Sequence, residues 1–143
     1  MIDKSFGRKI MEHKYTDREG AYLICVENNA VAVVKTPKGF FLPGGGIDCG
    51  ESHIECIERE LLEETGFLCE IDKYICSAEE YLYHEKFRYF HPIQNYYCGK
   101  LTEQIVQPVE TDHQLEWLPV RDIESKMYLK SQGWAIKYLT ENF

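Results

Sequence analysis

Three glutamates at helical spacing are the residues of this chain whose types and positions most clearly suggest chemistry. Glu60, Glu63 and Glu64 stand at positions i, i+3 and i+4, which places them on one helix face with Cβ atoms about 5–6 Å apart. Like charges this close destabilise a helix unless a cation compensates them. Mg²⁺ suits that role because it takes oxygen ligands and keeps water for further chemistry. A solvent-exposed acidic face is the more ordinary explanation of three glutamates alone, so both interpretations stay open at this point.

The helix that must position these glutamates is predicted over residues 52–65. Ser52 and Glu55 fit a capping box, in which each side chain bonds the backbone of the other. Gly66 fits a C-cap, because glycine readily adopts the left-handed conformation that ends many helices. The buried stripe is predicted at Ile54, Ile57 and Leu61. Before the helix, a loop whose backbone can approach a ligand closely is predicted at 43–46, Pro-Gly-Gly-Gly.

The rest of the chain alternates between predicted strands and helices. Residues 21–26 and 30–36 are rich in β-forming types with turn residues between them, so a hairpin is predicted. Further strands are predicted at 40–42, 67–79, 87–101 and 116–119, and two closing helices at 121–128 and 131–140. Pro92 suggests that the strand over 87–101 lies at an edge or is interrupted there. This interleaving predicts an α/β or α+β class with a mixed sheet.

Length, composition and charge bound the kind of protein. The chain has 143 residues, 44% of them hydrophobic and 28% charged, which is typical of a single domain over 1–143. The sequence holds neither an apolar run of about 20 residues nor a secretory signal, so we expect a cytoplasmic protein with no membrane partner. The net charge of −8 argues against a nucleic-acid polymer as partner but allows a small phosphorylated ligand if cations intervene. The sequence leaves the oligomeric state open.

The spacing around the glutamates matches a known motif. Gly45 is followed after five residues by Glu51, and after seven more by the run Arg59-Glu60-Leu61-Leu62-Glu63-Glu64-Thr65-Gly66-Phe67. This pattern resembles the Nudix box, G-x5-E-x7-R-E-U-x-E-E-x-G-U with U apolar, and every fixed position matches over residues 45–67. The chain therefore resembles the Nudix hydrolase family, and in particular its MutT-like branch.

The resemblance implies a fold, a chemistry and a role for each matching residue. The implied fold is a three-layer α/β/α sandwich with a mixed sheet, in which the box forms loop, helix and loop. Nudix enzymes cleave a nucleoside diphosphate linked to another moiety X, using Mg²⁺ or Mn²⁺. By position, the expected metal ligands are Glu63, Glu64 and the carbonyl of Gly45, with Glu60 a ligand or the base that activates water. Arg59 and Glu51 are expected to pair and so to brace the loop against the helix.

Residues outside the box are weaker candidates. Many family members take one more acid from the loop before the last strand, and here Asp112 is the candidate ligand, with Glu110 as the alternative. His113 beside them is expected to be a surface residue. Tyr83 is a candidate for stacking on a nucleobase. It lies sixteen residues beyond Phe67, a distance seen in family members that act on diadenosine polyphosphates.

The function that follows is a metal-dependent pyrophosphohydrolase acting on a small nucleotide. Clustered carboxylates gather cations, which mask phosphate charge and make hydroxide available at neutral pH. The favoured substrate is a nucleoside triphosphate, including an oxidised one. A dinucleoside polyphosphate is the first alternative, and a noncatalytic nucleotide sensor with the same fold is the second. ADP-ribose is less favoured, because the proline associated with ADP-ribose hydrolases is missing at its usual spacing and Pro92 lies further along.

Overall fold

A computed structural model describes residues 1–86 and 88–143 of the protein. Its elements, in chain order, are β1 (Lys4–Phe6), β2 (Thr16–Ile24), β3 (Val26–Glu27), β4 (Ala30–Thr36), β5 (Gly39–Phe41), β6 (Gly44–Gly46), α1 (His53–Thr65), β7 (Phe67–Glu80), β8 (Leu82–His84), β9 (Arg88–Gln104), β10 (Gln114–Pro119), a 3-10 turn (Val120–Asp122), α2 (Ile123–Lys126) and α3 (Lys130–Asn142). Within these described residues, no helix is long and apolar enough to cross a membrane.

The strands of the described residues form two sheets. The six-stranded sheet has the order β1-β7-β9-β2-β6, with β8 also paired to β9. Its directions are mixed, because β9 runs parallel to β2 and antiparallel to β7. The four-stranded sheet is antiparallel, with the order β10-β4-β3 and β5 paired to β4. The mixed sheet predicted from the sequence is confirmed.

Two apolar cores lie on opposite sides of β2, because successive side chains of a strand point to opposite faces. Ala21 and Leu23 pack in the core that includes Ile57 and Leu61 of α1. Ile24 belongs to the other core, which α2 and α3 cover. The predicted α/β/α sandwich is therefore confirmed, and α1 lies where its acidic residues meet β6.

The hairpin predicted between 21–26 and 30–36 is correct at its turn and wrong in its first strand. Asn28 and Asn29 have positive φ values of 51° and 63°, which suit a two-residue hairpin turn. Only Val26 and Glu27 pair with β4 across that turn. Residues 16–24 enter the other sheet, where β2 pairs with β9. Local β propensity cannot reveal a pairing between segments so distant in the sequence.

The strand predicted over 87–101 is β9, while Phe87 lies outside the described residues. The expectation of an edge at Pro92 is wrong, because Pro92 lies in a central strand opposite Arg18 of β2. On its other side β9 pairs with β8 up to Phe90 and with β7 from Ile93 onward. The interruption therefore affects one side only, and Pro92 lies between these two ladders, where its missing N–H costs least.

The closing helices differ in length from the predictions. The helix predicted at 131–140 is α3, but the one predicted at 121–128 is reduced to the 3-10 turn and α2. The chain leaves the helical conformation at Met127, which forms a bridge with Phe40. The Tyr128 N–H then donates to the Phe40 carbonyl at 3.0 Å. Pairing with β5 thus ends the helix early and places Tyr128 near the site.

Candidate active site

The helix that carries the three glutamates has well-defined ends. Ser52 Oγ accepts a hydrogen bond from the Glu55 backbone N–H at 3.1 Å, and Glu55 Oε1 accepts one from the Ser52 N–H at 2.9 Å. Gly66 ends the helix with φ of 77° and donates to the Leu62 carbonyl. The capping box and the C-cap predicted from the sequence are confirmed. They set where α1 begins and ends, and so which turn presents the acidic face.

The loop predicted at 43–46 is wrong for Gly44–Gly46, which form the short strand β6 because their backbone pairs with β2. Two of its glycines let β6 approach its neighbours closely. Gly44 has φ of 142°, and a Cβ there would lie 2.3 Å from the Ala21 carbonyl oxygen. A Cβ at Gly45 would lie 2.6 Å from the carboxyl carbon of Glu60. The Glu60 carboxylate therefore lies directly against the backbone of β6, which a larger residue would prevent. The Gly45 carbonyl, the expected metal ligand, accepts a hydrogen bond from Cys56 Sγ at 3.3 Å.

Glu64 is a buried carboxylate, with only 7% of its surface exposed. Its Oε1 accepts a hydrogen bond from the Gly44 N–H at 3.1 Å. No basic side chain of the described residues lies within ion-pair distance of it. Burial raises the pKa of Glu64 well above its ordinary value; the Gly44 bond opposes that rise and the charge of Glu60 adds to it. Burial also raises the pKa of Glu60. Both side chains would therefore ionise more readily beside a bound cation.

Arg59 joins the loop to the helix. Its Nε donates to Glu51 Oε2 at 2.6 Å, and its Nη2 donates to Glu51 Oε1 at 3.0 Å and to the Gly46 carbonyl at 3.1 Å. Its Nη1 donates to Glu60 Oε1 at 2.8 Å. The hydrogen bonds from Arg59 lower the Glu51 pKa to about 2, and the same contact raises the pKa of Arg59. One guanidinium thus holds the loop and also orients one of the three glutamates.

The segment 105–113 docks on the C-terminal end of α1 by satisfying carbonyls that a helix leaves unpaired. The Glu63 carbonyl accepts hydrogen bonds from the backbone N–H groups of Val109 and Glu110, at 3.0 and 3.3 Å. The carbonyl of Gly66 accepts one from the Ile105 N–H at 2.9 Å. These backbone contacts place the side chain of Glu110 beside the acidic face of α1.

Glu110 and His113 complete a set of five potential ligands. Carboxylate oxygens of Glu60, Glu63 and Glu110 lie within 4.8 Å of one another, and so do ligand atoms of Glu64, Glu110 and His113. We refer to these five residues as the carboxylate cluster. His113 Nε2 lies 2.9 Å from Glu110 Oε2, so the imidazole also holds the Glu110 carboxylate.

The placement of the two neighbouring residues differs from the sequence expectation. Asp112, the candidate ligand, has a side chain that is 63% exposed, and it lies outside the carboxylate cluster. Its Oδ1 lies 2.8 Å from His113 Nδ1. Glu110, the alternative, supplies the acid at the cluster. The expectation that His113 is a surface residue is wrong, because its ring is mostly buried between two carboxylates. The i, i+3 spacing of Glu110 and His113 could have indicated that the two side chains lie together. Their position beside α1, however, depends on contacts between residues that are distant in the sequence.

The chemistry of the donor set fits a divalent cation. Carboxylate oxygens are the ligands that Mg²⁺ and Mn²⁺ prefer. Four carboxylates converge here, and the buried one, Glu64, has no basic partner among the described residues. A bound cation would supply the positive charge that these carboxylates require when ionised.

Two neighbouring cavities share part of their walls, and one of them adjoins the carboxylate cluster. The outer cavity, of 390 Å³, has Glu64 and His113 in its wall. The inner cavity, of 150 Å³, extends over the larger sheet to Gln94 of β9. Both are lined by Tyr22, Lys38 and Phe41. A ligand with one end at the cluster could therefore reach the inner cavity past these three side chains.

Basic side chains line this otherwise acidic region. Arg18 lines the inner cavity and lies against the backbone of Gly46, where a Cβ would meet its Nη2 at 2.3 Å. Among the described residues, no acidic side chain lies within ion-pair distance of Arg18. Lys38 Nζ lies 2.9 Å from His84 Nε2 across the inner cavity. Sequence reasoning missed both cations, because an exposed basic residue of a strand or turn carries no pattern of its own.

Tyr83, the candidate for base stacking, lines neither cavity. Its side chain is 57% exposed, and its hydroxyl accepts a hydrogen bond from Arg88 Nη1 at 3.3 Å. Its ring packs edge-on against Tyr89, with centroids 5.6 Å apart. The aromatic side chains that do face the inner cavity are Tyr22, Phe41, Phe90 and Tyr128.

Comparison with known proteins identifies the family. The family model described as NUDIX domain matches residues 16–140. An ADP-ribose pyrophosphatase of Methanocaldococcus jannaschii is 31% identical over 81 residues, which cover 48% of this chain and 48% of that protein. The chain thus matches about half the length of this curated relative. The chain belongs to the NUDIX domain family, and the resemblance predicted from residues 45–67 is confirmed.

Solved structures support the fold. A NUDIX hydrolase from Nitrosomonas europaea has a TM-score of 0.68 at 16% identity and covers 88% of each chain. The dihydroneopterin triphosphate pyrophosphohydrolase of E. coli has a TM-score of 0.69 at 16% identity, covering 90% of this chain and 99% of its own. At such identities the likeness shows that the fold is shared.

Proposed function

We propose that this protein is a divalent-cation-dependent pyrophosphohydrolase that cleaves a nucleoside diphosphate linked to X, with a nucleoside triphosphate as the favoured substrate. One observation carries the proposal: Glu64 and His113 of the carboxylate cluster line the outer cavity, and Lys38 and Phe41 line the same cavity. One small molecule could therefore reach the carboxylates that would hold a metal ion, the ammonium group of Lys38 that could bind phosphate, and the ring of Phe41 that could stack on a base. The net charge of −8 supports a small nucleotide over a nucleic-acid polymer.

In this proposal Glu60, Glu63, Glu64 and Glu110 hold one or more Mg²⁺ or Mn²⁺ ions, with the Gly45 carbonyl as a further ligand. When bound, the cation would mask phosphate charge and make water more acidic. Glu60 is our candidate for the general base. Burial raises its pKa above the ordinary value, which makes the carboxylate a stronger base, and its contact with Arg59 fixes its direction.

Arg18 and Lys38 are proposed to bind the phosphates that extend away from the cluster. Both are basic and line the inner cavity, and Arg18 has no acidic partner among the described residues. An ion pair with phosphate would therefore not compete with one inside the protein. A charge-assisted hydrogen bond of this kind is among the stronger contacts available to a guanidinium.

ADP-ribose is the second candidate substrate, because the archaeal relative is named an ADP-ribose pyrophosphatase. It also contains a diphosphate between two moieties, so the same cluster could act on it. The distinction lies in the products. A triphosphate and water would give a nucleoside monophosphate and pyrophosphate, whereas ADP-ribose and water would give AMP and ribose phosphate.

The test is a hydrolysis screen with product masses recorded. Nucleoside triphosphates, ADP-ribose and a dinucleoside polyphosphate are incubated with Mg²⁺, with Mn²⁺ and with chelator. We expect cation-dependent release of pyrophosphate from at least one triphosphate. Activity that survives thorough removal of metal would contradict the role of the cluster. If no nucleotide turned over but several bound, the noncatalytic sensor would replace the enzyme.

A further inference from the structure

The floor of the inner cavity contains a polar side chain with a spare hydrogen-bond donor. Gln94 of β9 lines the cavity and is 2% exposed. Its Oε1 accepts hydrogen bonds from the Tyr96 hydroxyl at 2.5 Å and from Gln132 Nε2 at 3.2 Å. Its Nε2 donates to no other described residue. Because Gln94 lines the cavity and its NH₂ has no protein acceptor among the described residues, a ligand that accepts this hydrogen bond would be favoured.

A chain of hydrogen bonds fixes which end of this amide is the oxygen. The backbone N–H of Leu42 can only donate, so the atom of Gln132 that lies 2.7 Å from it is an oxygen. The other end of the Gln132 amide is then the nitrogen, which donates to Gln94 and requires an oxygen there. The remaining group of Gln94, its NH₂, is the one available to the cavity.

The other side chains at the cavity define the rest of the ligand. Arg18 and Lys38 are donors without acceptor capacity, and Phe41 and Phe90 supply aromatic surface. Tyr22 and His84 also line the cavity and can accept as well as donate. Arg18, Lys38 and the Gln94 NH₂ therefore favour acceptors on the part of the ligand that they meet, and the apolar groups favour a flat ring. A heterocyclic base with a carbonyl at its edge meets both requirements, whereas an exocyclic amine would present a second donor to the Gln94 NH₂.

We propose that Gln94 is a specificity-determining residue whose NH₂ group selects nucleotides with a keto base over those with an amino base at the same position. This inference rests on the proposed function, because it assumes that the base of the substrate occupies the inner cavity. Gln94 itself takes no part in the bond cleavage. The keto group accepts one hydrogen bond, and the amino group would leave the Gln94 donor unpaired.

The test compares substrates that differ at one edge of the base. Inosine triphosphate and adenosine triphosphate form one pair, and uridine triphosphate and cytidine triphosphate the other. We expect wild-type kcat/KM to favour the keto member of each pair by at least about tenfold. Gln94→Met should reduce that ratio to within about twofold of one, because methionine keeps the length but not the donor.

Gln132→Met is the matched control. It makes the same amide-to-thioether change in the same hydrogen-bonded chain, but Gln132 does not line the cavity. We expect a similar loss of thermal stability but a smaller loss of the keto preference than in Gln94→Met, because the Gln94 NH₂ is still present and the Tyr96 hydroxyl can still donate to Gln94 Oε1. A preference lost equally in both variants, or absent from the wild type, overturns the proposal. If Gln94→Met does not fold, Gln94→Asn retracts the donor by one methylene and should weaken the same ratio.

A binding measurement separates this inference from the proposed function. Free nucleosides carry no phosphate, so they can be titrated without metal into nitrogen-15-labelled protein. The side-chain NH₂ signals of Gln94, identified by their loss in Gln94→Met or their displacement in Gln94→Asn, should shift with inosine and not with adenosine. If neither nucleoside changed the chemical shifts of these signals, the inference would be overturned. If no triphosphate is hydrolysed while inosine still shifts these signals, the proposed function fails and the base selectivity stands.

Discussion

The carboxylate cluster and the cavity wall beside it are built in different ways. The residues of the box, 45–67, are contiguous, and a capping box and a C-cap locate the helix that presents Glu60, Glu63 and Glu64. The cavity wall draws Arg18, Lys38 and Gln94 from three separate strands or turns. The contiguous part can be inherited as one motif, while each residue of the wall can change independently. In the proposed function, catalysis and substrate choice would therefore depend on different parts of the chain.

The largest effect should come from the buried end of the cluster. Glu64→Gln keeps the volume and the Gly44 hydrogen bond but removes a charge, so we expect kcat to fall by at least about 10²-fold. Glu58→Gln, on the exposed face of the same helix, should leave kcat unchanged. A Glu64→Gln enzyme with near-normal turnover would remove Glu64 from the site.

The same variant makes a prediction about stability and pH. Burial raises the folded-state pKa of Glu64 above 4.5. Above about pH 4.5 the carboxyl group ionises in the unfolded chain first, so the metal-free folded state loses stability as pH rises. Glu64→Gln lacks this penalty. In the presence of chelator, the melting temperature of the variant should therefore rise relative to that of the wild type as the pH increases from acid to neutral. Equal slopes would mean that Glu64 is not desolvated.

The second prediction concerns the ion pair of Arg59 and Glu51, which joins the segment before α1 to the helix. Arg59→Ala should lower both the melting temperature and kcat/KM, the latter by about 10- to 100-fold, because the loop and Glu60 lose one shared donor. Glu51→Gln should have a smaller effect of the same kind. Double mutation should cost less than the sum of the single changes, measured as melting temperatures and as kcat/KM. Additive effects would show that the two side chains act separately.

The ion pair of Arg59 and Glu51 predicts the opposite pH dependence of folding stability from that expected for Glu64. Arg59 lowers the folded-state pKa of Glu51 from 4.5 to about 2. The stability that the pair contributes is then present above about pH 4.5 and is lost as pH falls toward 2. The difference in melting temperature between wild type and Glu51→Gln should shrink over that window. A difference that stays constant there would contradict the pairing.

The contrast between these regions explains how much the sequence could predict. Ser52 and Gly66 act through neighbours within a few residues, so their roles follow from spacing alone. The predicted stripe is only partly correct: Ile57 and Leu61 are buried against β2, but Ile54 is 45% exposed. Glu110 reaches the cluster because its backbone pairs with the Glu63 carbonyl, and Gln94 faces a cavity because β9 pairs with β2. Those placements depend on contacts between distant segments. Asp112 and Glu110 are nearly equivalent as sequence, and only the docked segment distinguishes them.

The third prediction tests that distinction directly. Glu110→Gln should lower kcat by about tenfold, because it removes one charged group from the cluster and leaves four potential ligands. Asp112→Asn should have a smaller effect, since Asp112 belongs to neither group of potential ligands and its carboxylate contacts His113. The two variants are matched, because each replaces an acid by its amide at a position within three residues of His113. If Asp112→Asn proved the more damaging, Asp112 would be the ligand that the sequence suggested.

The smallest effects are expected on KM, and they should show whether Phe41 or Tyr83 stacks on the base of the substrate. Phe41 lines both cavities, so Phe41→Leu should raise KM for the preferred nucleotide by at least about fivefold if its ring stacks on the base. Tyr83 is mostly exposed, and Tyr83→Leu should change KM by less than about twofold. Both substitutions replace an aromatic ring with the same aliphatic side chain, so the comparison isolates position. A larger increase for Tyr83→Leu than for Phe41→Leu would place the base near β8 and would favour the first alternative substrate, a dinucleoside polyphosphate. Melting temperatures of both variants distinguish lost stacking from lost packing, because Phe41 also packs on Tyr128, with ring centroids 5.1 Å apart.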